Sequence, residues 1–175
     1  MTYFLSGGCK NGKSLSAQRI AVSLPGPHYY LATMIPHDDE DLARIARHLR
    51  ERENWGFETV ECGTSILTAL KGRNGTFLLD SVTALLSNEM FRADGTMDET
   101  APQRVADELV RFAQRAENVV FVSDYLCSDG VRYDEWSEAF RRELAYIDRR
   151  LAAVCGNVAE FCYTRPIWYK GGWEE

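Results

Sequence analysis

Short apolar runs alternate with segments of helical periodicity along almost the whole chain. The runs have the length and composition of buried strands, whereas the other segments repeat apolar residues every three or four positions. This alternation predicts an α/β fold with a mostly parallel sheet, flanking helices and right-handed crossovers. The predicted strands are Tyr3–Ser6, Tyr29–Thr33, Glu58–Glu61, Thr76–Asp80, Val119–Asp124 and Ala159–Tyr163. The predicted helices cover about Lys13–Ser23, a segment that starts near Asp38, Ile66–Lys71, Thr83–Phe91, Ala101–Ala116 and Asp134–Cys155.

Two further segments carry apolar residues that need packing partners. In the second predicted helix, Leu42, Ile45, Ala46 and Leu49 recur at helical spacing, so we expect this stripe to face inward. The C-terminal tail over residues 168–173 is aromatic. We expect this tail to serve packing or a subunit contact, and we assign no strand to it.

A glycine-rich loop follows the first predicted strand. Residues 7–14 fit the pattern G-x-x-x-x-G-K-[ST], with a strand before the loop and a helix after it, as that motif requires. Such a turn directs successive backbone N–H groups into one concavity that holds phosphate oxygens, and the helix adds the positive end of its dipole. We expect a nucleoside triphosphate here, with Lys13 at the β- and γ-phosphates and the Ser14 hydroxyl on Mg²⁺. The loop residues are Gly7, Gly8, Cys9, Lys10, Asn11, Gly12, Lys13 and Ser14.

Length and charge limit the remaining possibilities. At 175 residues the chain fits one domain over residues 1–175. A formal net charge of −6 argues against nonspecific binding to nucleic acid or membrane surfaces, and no apolar run is long enough to enter a bilayer. Five widely spaced cysteines without a C-x-x-C pair are typical of reduced thiols and indicate no zinc site. Because the loop begins so close to the N-terminus, we expect no targeting segment and a cytoplasmic protein.

Two carboxylates end the strongest predicted strands. Asp80 occupies the position from which a Walker-B acid holds Mg²⁺ through water, and Asp124 ends the other strong strand in the same way. Ligands collect at the carboxyl ends of strands in open α/β sheets, so both acids are candidates for the site. The alternative is that they serve only as turn formers or helix caps.

A basic stripe follows one side of the second predicted helix. Arg44, His48 and Arg52 are spaced by four and therefore stack along one line of the helix. Two guanidinium groups can hold a triphosphate, with Arg44 as a candidate phosphate contact, and they disfavour protonation of the imidazole between them. A neutral histidine can attack phosphorus and form a covalent intermediate. From spacing alone, a solvated basic helix face is the favoured interpretation.

Several segments in this order resemble the bifunctional adenosylcobinamide kinase/adenosylcobinamide-phosphate guanylyltransferase family of cobalamin biosynthesis. The resemblance covers about the first 90 residues well, and the R-I-x-x-H element downstream of Y-[IL]-A-T is its most specific part. The segments are residues 7–14, Tyr30–Thr33, Asp38–His48, Thr59–Glu61 and Leu78–Ser81 with Asn88.

The resemblance implies a two-step enzyme on one RecA-like P-loop domain. A nucleoside triphosphate, ATP or GTP, phosphorylates the aminopropanol hydroxyl of adenosylcobinamide, and GTP then transfers GMP through a guanylylated histidine to the cobinamide phosphate. By position, His48 matches that histidine, and Glu61 and Asp80 match residues that contact the guanine nucleotide. The family also forms trimers. Further nucleotide-binding positions implied by the resemblance are Ala32, Thr33, Met34, Leu49, Arg50, Glu51 and Arg52.

The chain departs from the family pattern at several points. Arg52 is followed by Glu53 where the family has Pro, and Asp124-Tyr125-Leu126-Cys127 replaces N-E-x-G. The segment 139–148 ends in Asp148 where R-F-R-D-x-x-G-x-x-N ends in Asn. These departures affect the corrinoid-binding half more than the nucleotide half. Two alternatives therefore stay open: a P-loop small-molecule kinase without guanylyltransferase activity, and a non-catalytic GTP-binding module.

Overall fold

A computed structural model describes residues 1–36, 38–127 and 130–174, without the side chains of Asp41, Arg44, His48, Glu51 and Arg52. The strands are β1 (Thr2–Gly7), β2 (His28–Ala32), β3 (Phe57–Glu61), β4 (Thr76–Asp80), β5 (Asn118–Asp124), β6 (Asn157–Cys162) and β7 (Arg165–Lys170). The α-helices are α1 (Lys13–Ser23), α2 (Asp39–Arg52), α3 (Val82–Met90), α4 (Ala101–Arg115) and α5 (Glu135–Val154), and a 3-10 helix covers Ile66–Leu70.

The strands form one sheet in the order β3-β2-β4-β5-β1-β6-β7. All neighbouring pairs are parallel except β6 and β7. The predicted α/β architecture with a mostly parallel sheet is therefore confirmed. Because β1 lies between β5 and β6, the loop that follows it opens in the middle of the carboxyl edge of the sheet.

The two faces of the sheet are covered differently. On one face α1 packs on the sheet, with Ala17, Ile20 and Ala21 buried against Leu5 and Val122. On the other face α3, α4 and α5 enclose a larger core. In that core Phe112 meets Phe77 and Phe121 edge to face, at centroid distances of 5.3 and 6.2 Å. Each fully buried leucine or phenylalanine contributes about 2 kcal/mol through burial. Among the described residues, no helix is both long enough and apolar enough to cross a membrane.

The expectation that the whole apolar stripe of α2 faces inward is wrong. Leu42 and Leu49 are 53% and 46% exposed, and Ala46 is also exposed. Only Ile45 is half-buried. The physical reason is the position of the helix, because Ile45 and Leu49 line a cavity at the carboxyl edge of the sheet.

The C-terminal tail contains a strand that the sequence analysis did not assign. β7 pairs with β6 through a turn in which Tyr163 and Thr164 have φ values of 47° and 68°. Trp168 on β7 packs edge to face against Tyr3 at 6.4 Å. The indole of Trp173 donates a hydrogen bond to Ser23 Oγ at 3.2 Å. The aromatic tail thus packs on its own chain.

Candidate active site

Short contacts fix the loop that joins β1 to α1. A Cβ atom on Gly7 would lie 2.8 Å from the Phe161 carbonyl oxygen on β6, so the close approach of the two backbones requires glycine. Asn11 Nδ2 donates to the same carbonyl at 2.8 Å, and Asn11 Oδ1 accepts from the Lys13 N–H at 3.2 Å. Gly12 has a φ of 84°, in the left-handed region that favours glycine. The loop is therefore fixed both by a hydrogen bond within itself and by its contacts with Phe161 of the neighbouring strand β6.

The N-terminus of α1 faces the space that the loop encloses. Gly12 offers no side chain to cap this helix, and of its first N–H groups that of Lys13 is bound by Asn11 Oδ1, so a ligand would meet the ones that follow. Lys10 also has a positive φ, of 55°. Where positive and negative φ values alternate along a loop, successive N–H groups turn toward one concavity. Together with the positive end of the helix dipole, this arrangement favours an anion such as a phosphate.

Lys13 lies at the floor of the loop and is paired there. Its ammonium nitrogen is 2.7 Å from Asp124 Oδ1 and 3.1 Å from the Gly8 carbonyl oxygen. Only 7% of the Lys13 side chain is exposed, so the ammonium is held in place with little freedom. Asp124 is brought here because it pairs with Gly7 in the register of β1 and β5, and its N–H donates to Thr83 Oγ1 at 3.0 Å.

A hydrogen-bond network ties together the ends of β2, β3 and β4. The buried Thr33 hydroxyl donates to the Ser81 carbonyl and accepts from the Ser81 N–H, both at 3.0 Å. Asn88 Nδ2 donates to the carbonyl oxygens of Thr33 at 2.7 Å and Gly63 at 2.8 Å. The Thr33 hydroxyl is thus engaged within the protein, and it positions the strand ends around Asp80.

One cavity of about 1010 Å³ at the carboxyl edge brings together most of the site residues predicted from the sequence. Gly7 and Gly8 belong to the loop but do not line this cavity. The side chains of Arg44, His48, Glu51 and Arg52 lie outside the described part of the chain, although Arg47 and Leu49, on either side of His48, line the cavity. The predicted residues that line it are Cys9, Lys10, Asn11, Gly12, Lys13, Ser14, Ala32, Thr33, Met34, Leu49, Arg50, Glu61, Asp80 and Asp124.

Some lining residues were missed in the sequence analysis. Tyr30 and Thr59 line the cavity from β2 and β3. They precede Ala32 and Glu61 by two positions, so the two-residue period of a strand was the signal that could have found them. Ser81 and Ala84, at the start of α3, also contribute. Their position at the end of β4 becomes meaningful only once the sheet order is known.

The cavity supplies the oxygen ligands that Mg²⁺ prefers. Ser14 and Asp80 both line it, and they offer a hydroxyl and a carboxylate oxygen. Mg²⁺ at phosphate-transfer sites is commonly held by one or two protein oxygens together with the phosphates of the substrate. The residues present therefore fit this ion.

Comparisons with known proteins agree with this geometry. A protein-family model described as cobinamide kinase / cobinamide phosphate guanyltransferase matches residues 3–167. No curated protein sequence matches the chain significantly.

Solved structures share the fold. Flagellar accessory protein FlaH from Methanocaldococcus jannaschii has a TM-score of 0.53 at 10% identity, over 97% of this chain and 77% of that one. The protein of Project ID PH0250 from Pyrococcus horikoshii OT3 has a TM-score of 0.54 at 12% identity, over 97% of this chain and 85% of that one. At this identity the similarity concerns the fold alone, and the predicted P-loop NTPase fold of the RecA-like type is confirmed.

Proposed function

The chain belongs to the cobinamide kinase / cobinamide phosphate guanyltransferase family, an enzyme family of cobalamin biosynthesis, and on this premise we propose that one nucleotide site serves both reactions. The first reaction phosphorylates the aminopropanol hydroxyl of adenosylcobinamide with ATP or GTP. The second transfers GMP from GTP to the resulting phosphate and gives adenosylcobinamide-GDP. The observation that carries this proposal is the single cavity that joins the phosphate loop to Asp80, Glu61 and α2.

In the kinase step, the loop and Lys13 hold the triphosphate. The N–H groups at the start of α1 bind phosphate oxygens, and the Lys13 ammonium stabilises the negative charge that develops on the transferred phosphoryl group. Ser14 and Asp80 hold Mg²⁺, which supplies further charge neutralisation when bound. Electrostatic stabilisation of this kind accounts for most of the catalysis in phosphoryl transfer.

In the guanylyl step, His48 is the proposed nucleophile. Its ring nitrogen bonds to the α-phosphorus of GTP, and pyrophosphate leaves with the electron pair of the broken P–O bond. The cobinamide phosphate then displaces the histidine. Glu61, Asp80 and the segment Ala32–Met34 contact the guanine nucleotide, and α2 supplies the remaining contacts through Arg44 and residues 49–52. Arg47 and Leu49 support this assignment because they line the cavity on either side of residue 48.

Covalent labelling tests the proposal. Incubation with α-labelled GTP and Mg²⁺ should leave label on the protein, in an acid-labile and alkali-stable form typical of a phosphoramidate. His48→Ala should abolish the label while triphosphate binding persists, since the phosphate loop provides that binding.

His28→Ala is the matched control. His28 lies at the start of β2, at the opposite end of that strand from the cavity, and its ring contacts the Leu24 carbonyl at 3.0 Å. This variant should keep the label. Absence of any label on the wild-type protein, together with phosphorylation of cobinamide, would leave the P-loop small-molecule kinase as the function. Absence of both reactions, with GTP still bound, would indicate a binding module.

A further inference from the structure

The ion pair at the floor of the phosphate loop involves a residue that a bound triphosphate also needs. Lys13 Nζ lies 2.7 Å from Asp124 Oδ1, and the two side chains are 7% and 24% exposed. A P-loop directs this lysine to the β- and γ-phosphates of its nucleotide. The Asp124 carboxylate and the γ-phosphate therefore compete for one ammonium group.

The backbone of Asp124 is fixed, so the carboxylate stays in place when its partner moves. Asp124 lies opposite Gly7 in the register of β1 and β5, and its N–H donates to Thr83 Oγ1 at 3.0 Å. The next N–H, that of Tyr125, donates to the Gly7 carbonyl oxygen at 3.0 Å. Lys13, by contrast, carries its ammonium on a flexible four-carbon stem. When a triphosphate binds, we expect the ammonium to turn toward the phosphates and the carboxylate to remain.

The other side of Asp124 offers little charge compensation. There Asp124 lines a second cavity, of about 450 Å³, which lies between α5 and the strands β1 and β6. Phe4, Leu144 and Val158 are among the apolar residues that line it. Arg149 is the cation among the described lining residues, and it is exposed. A partly buried carboxylate that loses its partner is costly, so Asp124 needs another cation once Lys13 has turned away.

The nucleotide cavity itself carries a balanced charge. Its described lining residues with charged side chains are the cations Lys10, Lys13, Arg47 and Arg50 and the carboxylates Glu40, Glu61, Asp80 and Asp124. A triphosphate without a metal ion brings several negative charges into this balanced site, and its γ-phosphate meets the negative charge of Asp124 at short range. The family pattern N-E-x-G has a neutral asparagine where this chain has Asp124, so the repulsion is a property of this chain.

We propose that Asp124 makes triphosphate binding depend on Mg²⁺, because it retains the Lys13 ammonium against a triphosphate that arrives without the metal ion. Such a triphosphate has to break the ion pair and leave the carboxylate beside its own negative charge. Ser14 and Asp80 are suited to hold Mg²⁺, and a cation that enters with the phosphates compensates for the ammonium that Asp124 loses. The inference rests on the proposed function for triphosphate binding and adds the means by which the site selects the metal-bound form.

Calorimetric titration with ATP, in Mg²⁺ and in EDTA at constant ionic strength, tests the inference. The quantity compared is the metal ratio, which is the Kd for ATP in EDTA divided by the Kd in Mg²⁺. We expect a metal ratio of at least about 100 for the wild-type protein. Asp124→Asn should lower it at least about tenfold, mainly because ATP binds more tightly in EDTA once the competing charge is gone. Asp124→Ser removes the same charge and should lower the ratio equally, so a folding defect in one variant does not decide the test.

Two further variants separate charge from shape. Asp124→Glu keeps the charge and should keep the metal ratio within about threefold of the wild-type value. Asp107→Asn is the matched control, because Asp107 pairs with Arg150 at 3.0 Å and does not line the nucleotide cavity. This variant should keep the wild-type ratio.

Three outcomes would overturn the inference and leave the proposed function intact. The first is an equal metal ratio in the wild-type protein and in Asp124→Asn. The second is an equal fall in Asp124→Glu and Asp124→Asn, since the shape of the residue and not its charge would then matter. The third is a wild-type protein that binds ATP with a metal ratio near unity. A wild-type protein that binds no ATP in Mg²⁺ would instead overturn the proposed function, and the inference with it.

Discussion

The two sides of the central sheet satisfy their polar groups in different ways. On the α1 side, Asn11 and Lys13 have partners at 2.7 to 3.2 Å within the chain. On the α5 side, Asp148 is largely buried beside the Ser123 hydroxyl, and burial raises the pKa of this carboxyl group although the hydroxyl lowers it. The polar groups of the phosphate loop are thus paired within the chain at short distances, whereas the other side buries a carboxyl group whose pKa is raised.

The two sides also differ in how closely their residues follow the known sequence patterns. The loop follows the P-loop pattern at each defining position, while two of the departures from the family pattern, at Asp124 and Asp148, lie at the second cavity. We therefore expect triphosphate binding to rest on backbone geometry and one lysine.

The largest effect is expected from Lys13→Ala. This change removes the cation that stabilises the transferred phosphoryl group, so both activities should fall about 100- to 1,000-fold. Rates of cobinamide phosphorylation and of protein guanylylation measure it. Lys71→Ala, at an exposed position outside the cavity, is the control and should leave both rates unchanged. If Lys13→Ala lowered both rates by less than tenfold, the triphosphate would not depend on this lysine as we expect.

Asp148→Asn should stabilise the fold as pH rises. The folded protein keeps the Asp148 proton up to about pH 7, whereas the unfolded chain releases it near the ordinary pKa of 3.8. Wild-type stability therefore falls as pH rises between these two values, and the asparagine variant avoids this loss. At pH 8 we expect the variant to be more stable by about 2 kcal/mol.

Urea unfolding at several pH values measures this difference. The gap between variant and wild type should widen from pH 5 to 7 and stay constant above pH 7. A gap that does not change with pH would mean that Asp148 ionises as easily in the folded protein as in the unfolded chain.

The smallest effect is expected from Asn11→Ala. Its side chain donates a hydrogen bond to the Phe161 carbonyl of β6 and accepts one from the Lys13 N–H. Loss of these hydrogen bonds should cost about 1 kcal/mol, or about fivefold in triphosphate affinity. Calorimetric titration with ATP measures it, with the exposed Asn74→Ala as control. No change in affinity would show that the glycines alone hold the loop.

Periodicity predicted most of the fold because each strand has a strong local pattern. The exception is β7, whose turn uses Tyr163 and Thr164 in the left-handed region. Hairpin turns of this kind usually carry asparagine and glycine, so the turn had no recognisable sequence signal. The interpretation of α2 failed for another reason. Periodicity shows that Leu42, Ile45 and Leu49 share a face, but not whether the sheet or a cavity lies opposite.

The candidate site was predictable where a local motif defines it. Lys13 and Ser14 follow from the loop pattern, and Asp80 from its position at the end of a strand. The pairing of Lys13 with Asp124 was not predictable, since it depends on the register of β1 with β5. The second cavity depends likewise on the packing of α5 across two strands, which no local pattern encodes.

The place of β1 in the sheet has a consequence for synthesis. This strand leaves the ribosome before the other strands of the sheet, and its neighbours β5 and β6 are made much later, with Thr2 opposite Val119 and Tyr3 opposite Asn157. Contacts between such distant parts of a chain form slowly. Because Asn11 and Gly7 both rest on Phe161, a nascent chain that ends before β6 has no finished phosphate loop. The protein therefore acquires its capacity to bind a nucleotide only after β6 has been made.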